Sequence, residues 1–77
     1  MTTISIRDLT SGQSAVIATV GARGELGRRI RDMGLIPGTV VTVCGRAPLQ
    51  DPVALKVGGT ILTLRNSEAD HIMVTPA

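Results

Sequence analysis

Four side chains of this chain have the chemistry to hold a metal ion: Cys44, Glu68, Asp70 and His71. Imidazole and carboxylate suit a divalent first-row metal, and thiolate suits it less selectively. Glu68, Asp70 and His71 lie close in sequence, but two or three ligands on one turn do not close a coordination sphere or supply the groups that orient it. They are weak candidates. The expectation is no metal site, with Cys44 a buried strand cysteine and His71 an exposed histidine on a helical turn.

Catalytic chemistry has even less to stand on. No nucleophile is paired with a base in a recognisable motif. Gly21, Gly24 and Gly27 recur every third residue, but this run lacks the lysine of a phosphate-binding loop and the spacing of a dinucleotide fingerprint. They read as loop and helix-packing glycines. The expectation is no catalytic residue, no cofactor and no enzymatic activity, nucleoside triphosphate hydrolysis included.

The third group of residues favours binding. Arg23, Arg28, Arg29 and Arg31 crowd into one segment and are followed at once by Leu35, Ile36 and Pro37. An exposed aliphatic side chain on a rigid turn, rimmed by arginine, makes a docking point for another protein. The candidate partner-binding set is Leu35, Ile36, Pro37, Arg28, Arg29 and Arg31. One of Leu35 and Ile36 must satisfy the helix stop, which leaves the other for the surface.

Residues 24–39, GELGRRIRDMGLIPGT, must position that set. Leu26, Ile30 and Met33 fall at i, i+4 and i+7 and form one apolar stripe. Glu25 with Arg29, and Arg28 with Asp32, stand four apart, where pairing adds tenths of a kcal/mol, about 0.3. Gly34 occupies the position after the helix end where a left-handed residue is needed, and Leu35 can then fold back on Ile30. Ile36-Pro37-Gly38-Thr39 has the Pro and Gly of a type II turn.

Around this segment the pattern is of short strands. Ser5 to Leu9 has a Ser-x-x-Asp cap and predicts one helical turn that folds Ile6 and Leu9 onto the core. Residues 13–20 predict a strand covered on both sides, and residues 39–46 a second, with Val41 and Val43 opposite in parity to Val40, Thr42 and Cys44. A loop bracketed by Pro48 and Pro52 follows. Residues 53–57 and 60–65 alternate on either side of Gly58-Gly59, which predicts a hairpin with Val53, Leu55, Val57, Leu62 and Leu64 inward. Ser67 to Asp70 offers another Ser-x-x-Asp cap and a single turn. Ile72-Met73-Val74 predicts a short last strand, followed by a tail. Strands at this spacing predict a mainly β fold: a small barrel of about five strands with one inserted α-helix and short helical turns. The chain, residues 1–77, reads as a single domain.

Composition narrows the function classes. The chain has 77 residues, and a core of that size yields only about 3–5 kcal/mol net. Its single cysteine cannot form an internal disulfide. It contains no Phe, Tyr or Trp. Proline-rich peptide grooves need an aromatic lining, and single-stranded nucleic-acid platforms need stacking rings. A formal net charge of +2 adds little attraction for nucleic acid. The first residues lack the basic and apolar regions of a signal peptide, and no apolar run approaches the roughly 20 residues of a membrane helix. The expectation is a cytoplasmic protein that binds no nucleic acid. An edge strand of such a barrel could support a homo-oligomer.

Three stretches carry a family resemblance: Arg31-Asp32-Met33-Gly34-Leu35-Ile36-Pro37-Gly38, Ala47-Pro48-Leu49-Gln50-Asp51-Pro52 and Ile61-Leu62-Thr63-Leu64-Arg65. In this order and spacing the chain resembles the ferrous iron transport protein A family, FeoA, from Leu9 to Val74. The resemblance implies an SH3-like β-barrel with an inserted helix. It also implies a small cytosolic accessory of FeoB, the membrane ferrous iron transporter with a GTP-binding domain. The partner would then be the cytoplasmic part of that transporter, and the chain would be peripheral to the membrane only through it. The same barrel occurs as the C-terminal domain of iron-dependent repressors, so an SH3-like regulatory module is the alternative. The chain has no helix-turn-helix segment and is not an entire repressor.

Overall fold

The computed structural model describes residues 2–46 and 52–77. Elements follow in the order β1 (Ile4–Ser5), a 3₁₀ turn (Ile6–Asp8), β2 (Ser14–Val20), α1 (Gly24–Asp32), β3 (Val40–Arg46), β4 (Val53–Val57), β5 (Thr60–Leu64), α2 (Asn66–Ala69) and β6 (Ile72–Pro76). The strands form one six-stranded sheet in the order β1-β6-β2-β3-β4-β5, and every neighbouring pair is antiparallel. The fold is mainly β with an inserted helix, as the residue pattern predicts. It has one strand more than expected, because Ile4 and Ser5 pair with Val74 and Met73 ahead of the first helical turn.

Alternation decides what is inside. Ala15 and Ile17 of β2, Val41 and Val43 of β3, Val53 and Leu55 of β4, Leu64 of β5 and Ile72 and Val74 of β6 are buried together. Ile6 and Leu9 close the core from the 3₁₀ turn, and Ile30 and Leu35 close it from the helix and its stop. The inward face of the predicted hairpin is right in register, with Val53 opposite Leu64, Leu55 opposite Leu62 and Val57 opposite Thr60. Strand β2 has only one buried face: Val16 and Ala18 are half-buried and Thr19 is exposed. Register shifts between Ile17 and Thr19, and between Val43 and Gly45, bend the long strands as bulges do.

Several local expectations are corrected. The residues after Val74 are not a tail, because Thr75 and Pro76 pair with Val16 and Ala15. The second helical turn starts at Asn66, not Ser67. Its cap is made by Glu68, whose Oε1 accepts the Arg65 N–H at 3.1 Å. At the first turn Ser5 accepts the N–H of Arg7 at 3.2 Å. The Pro48 to Pro52 loop lies, apart from Pro52, outside the described residues.

Candidate functional site

The helix and its stop are built as the sequence specifies. The acidic Glu25 is in the first turn of α1, and Arg29 and Arg31 are in the last, which suits the helix dipole. At the C-terminus the Leu35 N–H donates to the Ile30 carbonyl at 3.3 Å, and the Gly34 N–H donates to that of Arg31 at 2.9 Å. These are the two bonds of a Schellman stop, and Gly34 has the positive φ of 89° that it requires. The Thr39 N–H closes the following turn on the Ile36 carbonyl at 3.1 Å, with Gly38 at φ 92°.

This turn is fastened to the sheet. The Gly38 N–H donates to the Ile17 carbonyl at 2.8 Å, and the Ile17 N–H donates to the Thr39 carbonyl at 2.9 Å. Between the Schellman stop and these two bonds, Ile36 and Pro37 have little backbone freedom. Leu35 is 0% exposed and belongs to the core, whereas Ile36 is 46% exposed. Of the aliphatic pair, Ile36 is therefore the surface residue. The expectation that Leu35 faces a partner is corrected: as the residue after the left-handed glycine, it folds back over Ile30.

The arginines do not form one patch. Glu25, Arg28, Arg29, Asp32 and Met33 line an open depression of about 390 Å³ along α1. Two acids and two bases line it, so the rim is mixed in sign. Arg31 lies elsewhere on the helix. Its Nη1 is 3.2 Å from where a side-chain carbon would start at Gly27, so it lies over that glycine one turn back. Gly27 itself is a packing glycine: a Cβ there would stand 2.4 Å from the Ala22 carbonyl oxygen.

Arg29 reaches out of its own helix. Its Nε lies 3.5 Å from Oε2 of Glu68, a residue only 6% exposed. The helical pairing of Glu25 with Arg29 is thus replaced by a link from α1 to α2. Glu68 serves as both cap and counter-charge. Asp70 pairs with Arg7 at 2.6 Å, which ties α2 to the 3₁₀ turn. His71 is exposed, and its backbone carbonyl accepts the Gly21 N–H at 2.7 Å.

The metal candidates are therefore not brought together. Glu68 and Asp70 face different arginines. Cys44 is exposed on β3, not buried, because Val41 and Val43 hold the inward positions and the bulge follows at Gly45. Among the described residues no group of three His, Cys, Asp or Glu side chains is placed to hold a metal.

Two surface residues escaped the reading of the sequence. Val40 is 56% exposed and Ile61 is 64% exposed. Both stand at the outward parity of strands whose inward positions are already filled, so the signal that marks them is the same period-two alternation.

Residues 4–76 match the family model for the FeoA domain. The chain belongs to the FeoA family. A curated relative, the Fe(2+) transport protein A/Fe(2+) transporter FeoB fusion protein of Porphyromonas gingivalis, is 38% identical over 69 residues. Those residues are 90% of this chain and 8% of that protein, so the chain spans a small part of the relative's length. An FeoA-like protein from Clostridium acetobutylicum superposes with a TM-score of 0.90 at 34% identity, over 99% of this chain and 90% of that one. The zinc complex of Stenotrophomonas maltophilia FeoA, described as a prokaryotic SH3 domain protein, gives 0.81 at 30% identity, over 94% and 89% of the two chains. FeoA chains thus share this SH3-like barrel. T. acidophilum IdeR shares the fold as well, with a TM-score of 0.88 at 23% identity, over 100% of this chain and 35% of that one.

The family is linked to ferrous iron transport through the fused relative. Among the described residues no helix is long and apolar enough to cross a membrane.

Proposed function

We propose that this chain is a small cytoplasmic accessory of bacterial ferrous iron uptake. It is a non-enzymatic interaction module that docks on the cytoplasmic part of an FeoB-type transporter and supports or regulates it. The observation that carries this reading is the state of Ile36. A large aliphatic side chain is left 46% exposed on a turn whose backbone is fixed on both sides. A rigid apolar anchor loses little entropy on binding, which is what makes such residues effective at interfaces.

Ile36 and Pro37 supply the anchor. Arg28, Arg29 and Arg31, on the preceding helix, are the proposed charged contacts, with Arg29 also paired with Glu68. The fused relative supports the choice of partner, because one polypeptide there joins an FeoA segment to a transporter. The alternative, an SH3-like regulatory module related to the C-terminal domain of iron-dependent repressors, rests on likeness of fold alone.

Calorimetric titration of the whole chain into the transporter's soluble cytoplasmic region tests the proposal. Saturable binding that Ile36→Ser weakens roughly tenfold or more supports it. Binding unchanged by Ile36→Ser removes the anchor, and no binding at all removes the partner.

A further inference from the structure

We infer that the free edge of β5 accepts an extended segment of a partner protein, one that carries apolar and acidic side chains two residues apart on the same face, as a seventh strand of the sheet. This surface is separate from the helix–turn surface around Ile36, and its occupancy does not depend on docking there.

The sheet ends at β5, which among the described residues pairs only with β4. Val57 and Thr60 flank the two-residue Gly58-Gly59 turn and face each other, so they exchange the first hydrogen bonds of the hairpin. Antiparallel pairs alternate from there. Leu62 and Leu64 bond inward to β4, and the N–H and C=O groups of Ile61 and Thr63 point outward to the open edge. An added strand is the backbone form that meets such a row of donors and acceptors.

Proteins normally blunt such an edge with proline, charge, a bulge or brevity. Thr60–Leu64 contains no proline and no charge. Its register against β4 runs without a shift. The opposite edge, β1, is only two residues long. On the outward face beside the open edge stands Ile61, 64% exposed.

Charge selects the occupant. Strands β3, β4 and β5 contain no Asp or Glu. Lys56 lies directly opposite Ile61 and is exposed, and the exposed Arg65 follows β5. A segment with an acidic residue two positions from its apolar contact, on the same face of the added strand, satisfies both. A second copy of this chain fits less well. Antiparallel self-pairing of β5 would bring no carboxylate to Lys56 or Arg65, because the strand contains none.

The test is an amide-resolved NMR titration of the whole chain with the synthetic peptide Thr-Glu-Thr-Ile-Thr-Glu-Thr, whose Glu and Ile side chains share one face, alongside Thr-Lys-Thr-Ile-Thr-Lys-Thr. The acidic peptide is expected to give saturable shifts at Ile61 and Thr63 that weaken with salt. Ile61→Pro removes one outward donor at a position where proline is compatible with an edge strand, and should abolish them. Lys56→Glu, on the solvent face, should weaken the acidic peptide roughly tenfold and keeps the test decisive if Ile61→Pro disturbs the fold. Equal binding of the basic peptide overturns the inference, as does the absence of saturable shifts at about 1 mM peptide. Shifts confined to residues 24–39, or concentration-dependent broadening of Ile61 and Thr63 without peptide, overturn it too.

Discussion

Arg29 Nε stands 3.5 Å from Glu68 Oε2, and this contact joins the inserted helix to the short helix that follows β5. The carboxylate is buried and the arginine is largely exposed. Its other oxygen accepts the Arg65 N–H, so one side chain both caps α2 and anchors α1. Glu68→Ala is expected to cost about 2 kcal/mol through the lost cap and pair. Arg29→Ala should cost less, about 1 kcal/mol, because solvent screens the exposed partner. Each kcal/mol corresponds to roughly 4–8 °C in Tm for a domain of this size. Urea unfolding of both single variants and the double variant gives the coupling. A value near zero would mean that the two residues act separately.

Gly27 offers a sharper test of packing. Helix propensity favours alanine over glycine by about 1 kcal/mol. Here the added carbon would meet the Ala22 carbonyl at 2.4 Å, so Gly27→Ala should destabilise instead, by about 1–3 kcal/mol. Chemical denaturation decides the sign.

The two neighbours Leu35 and Ile36 should separate stability from binding. Leu35→Ala empties a buried site and is expected to cost about 2–5 kcal/mol. Ile36→Ser alters a surface side chain and should change stability by no more than about 0.5 kcal/mol. Thermal unfolding of the two variants side by side checks this. Equal losses would contradict the assignment of Leu35 to the core and Ile36 to the surface.

Much of the architecture was legible because it rests on local chemistry. Gly34 and the Pro37-Gly38 pair fixed the helix stop and turn, and alternation from Val53 to Leu64 fixed the hairpin and its inward face. Strand β1 was not legible: two residues carry no period, and Ile4 and Ser5 are held by β6 from the far end of the chain. The pairing of Arg29 with Glu68 was equally hidden, since the helical spacing to Glu25 offered a local partner and the actual one lies 39 residues away. The candidate site was half legible. The sequence required one of Leu35 and Ile36 to close the helix, but only the backbone bond from Leu35 to Ile30 shows which one.

Anaerobic titration with ferrous iron against a competing chelator addresses the metal candidates. Glu68 and Asp70 are each engaged by an arginine, and Cys44 lies on a different element. The expected result is no binding stronger than the chelator's. Stoichiometric uptake lost in His71→Ala or Cys44→Ser would contradict this.

Docking through the helix–turn is tested most directly by an NMR titration of the labelled chain with the transporter's soluble GTP-binding domain, with and without nucleotide. Saturable shifts clustered on residues 24–39 are expected, centred on Ile36 and weakened by Ile36→Ser, while the buried Leu35 moves only with its neighbours. No shifts in any nucleotide state, or shifts that leave residues 24–39 untouched, would contradict it.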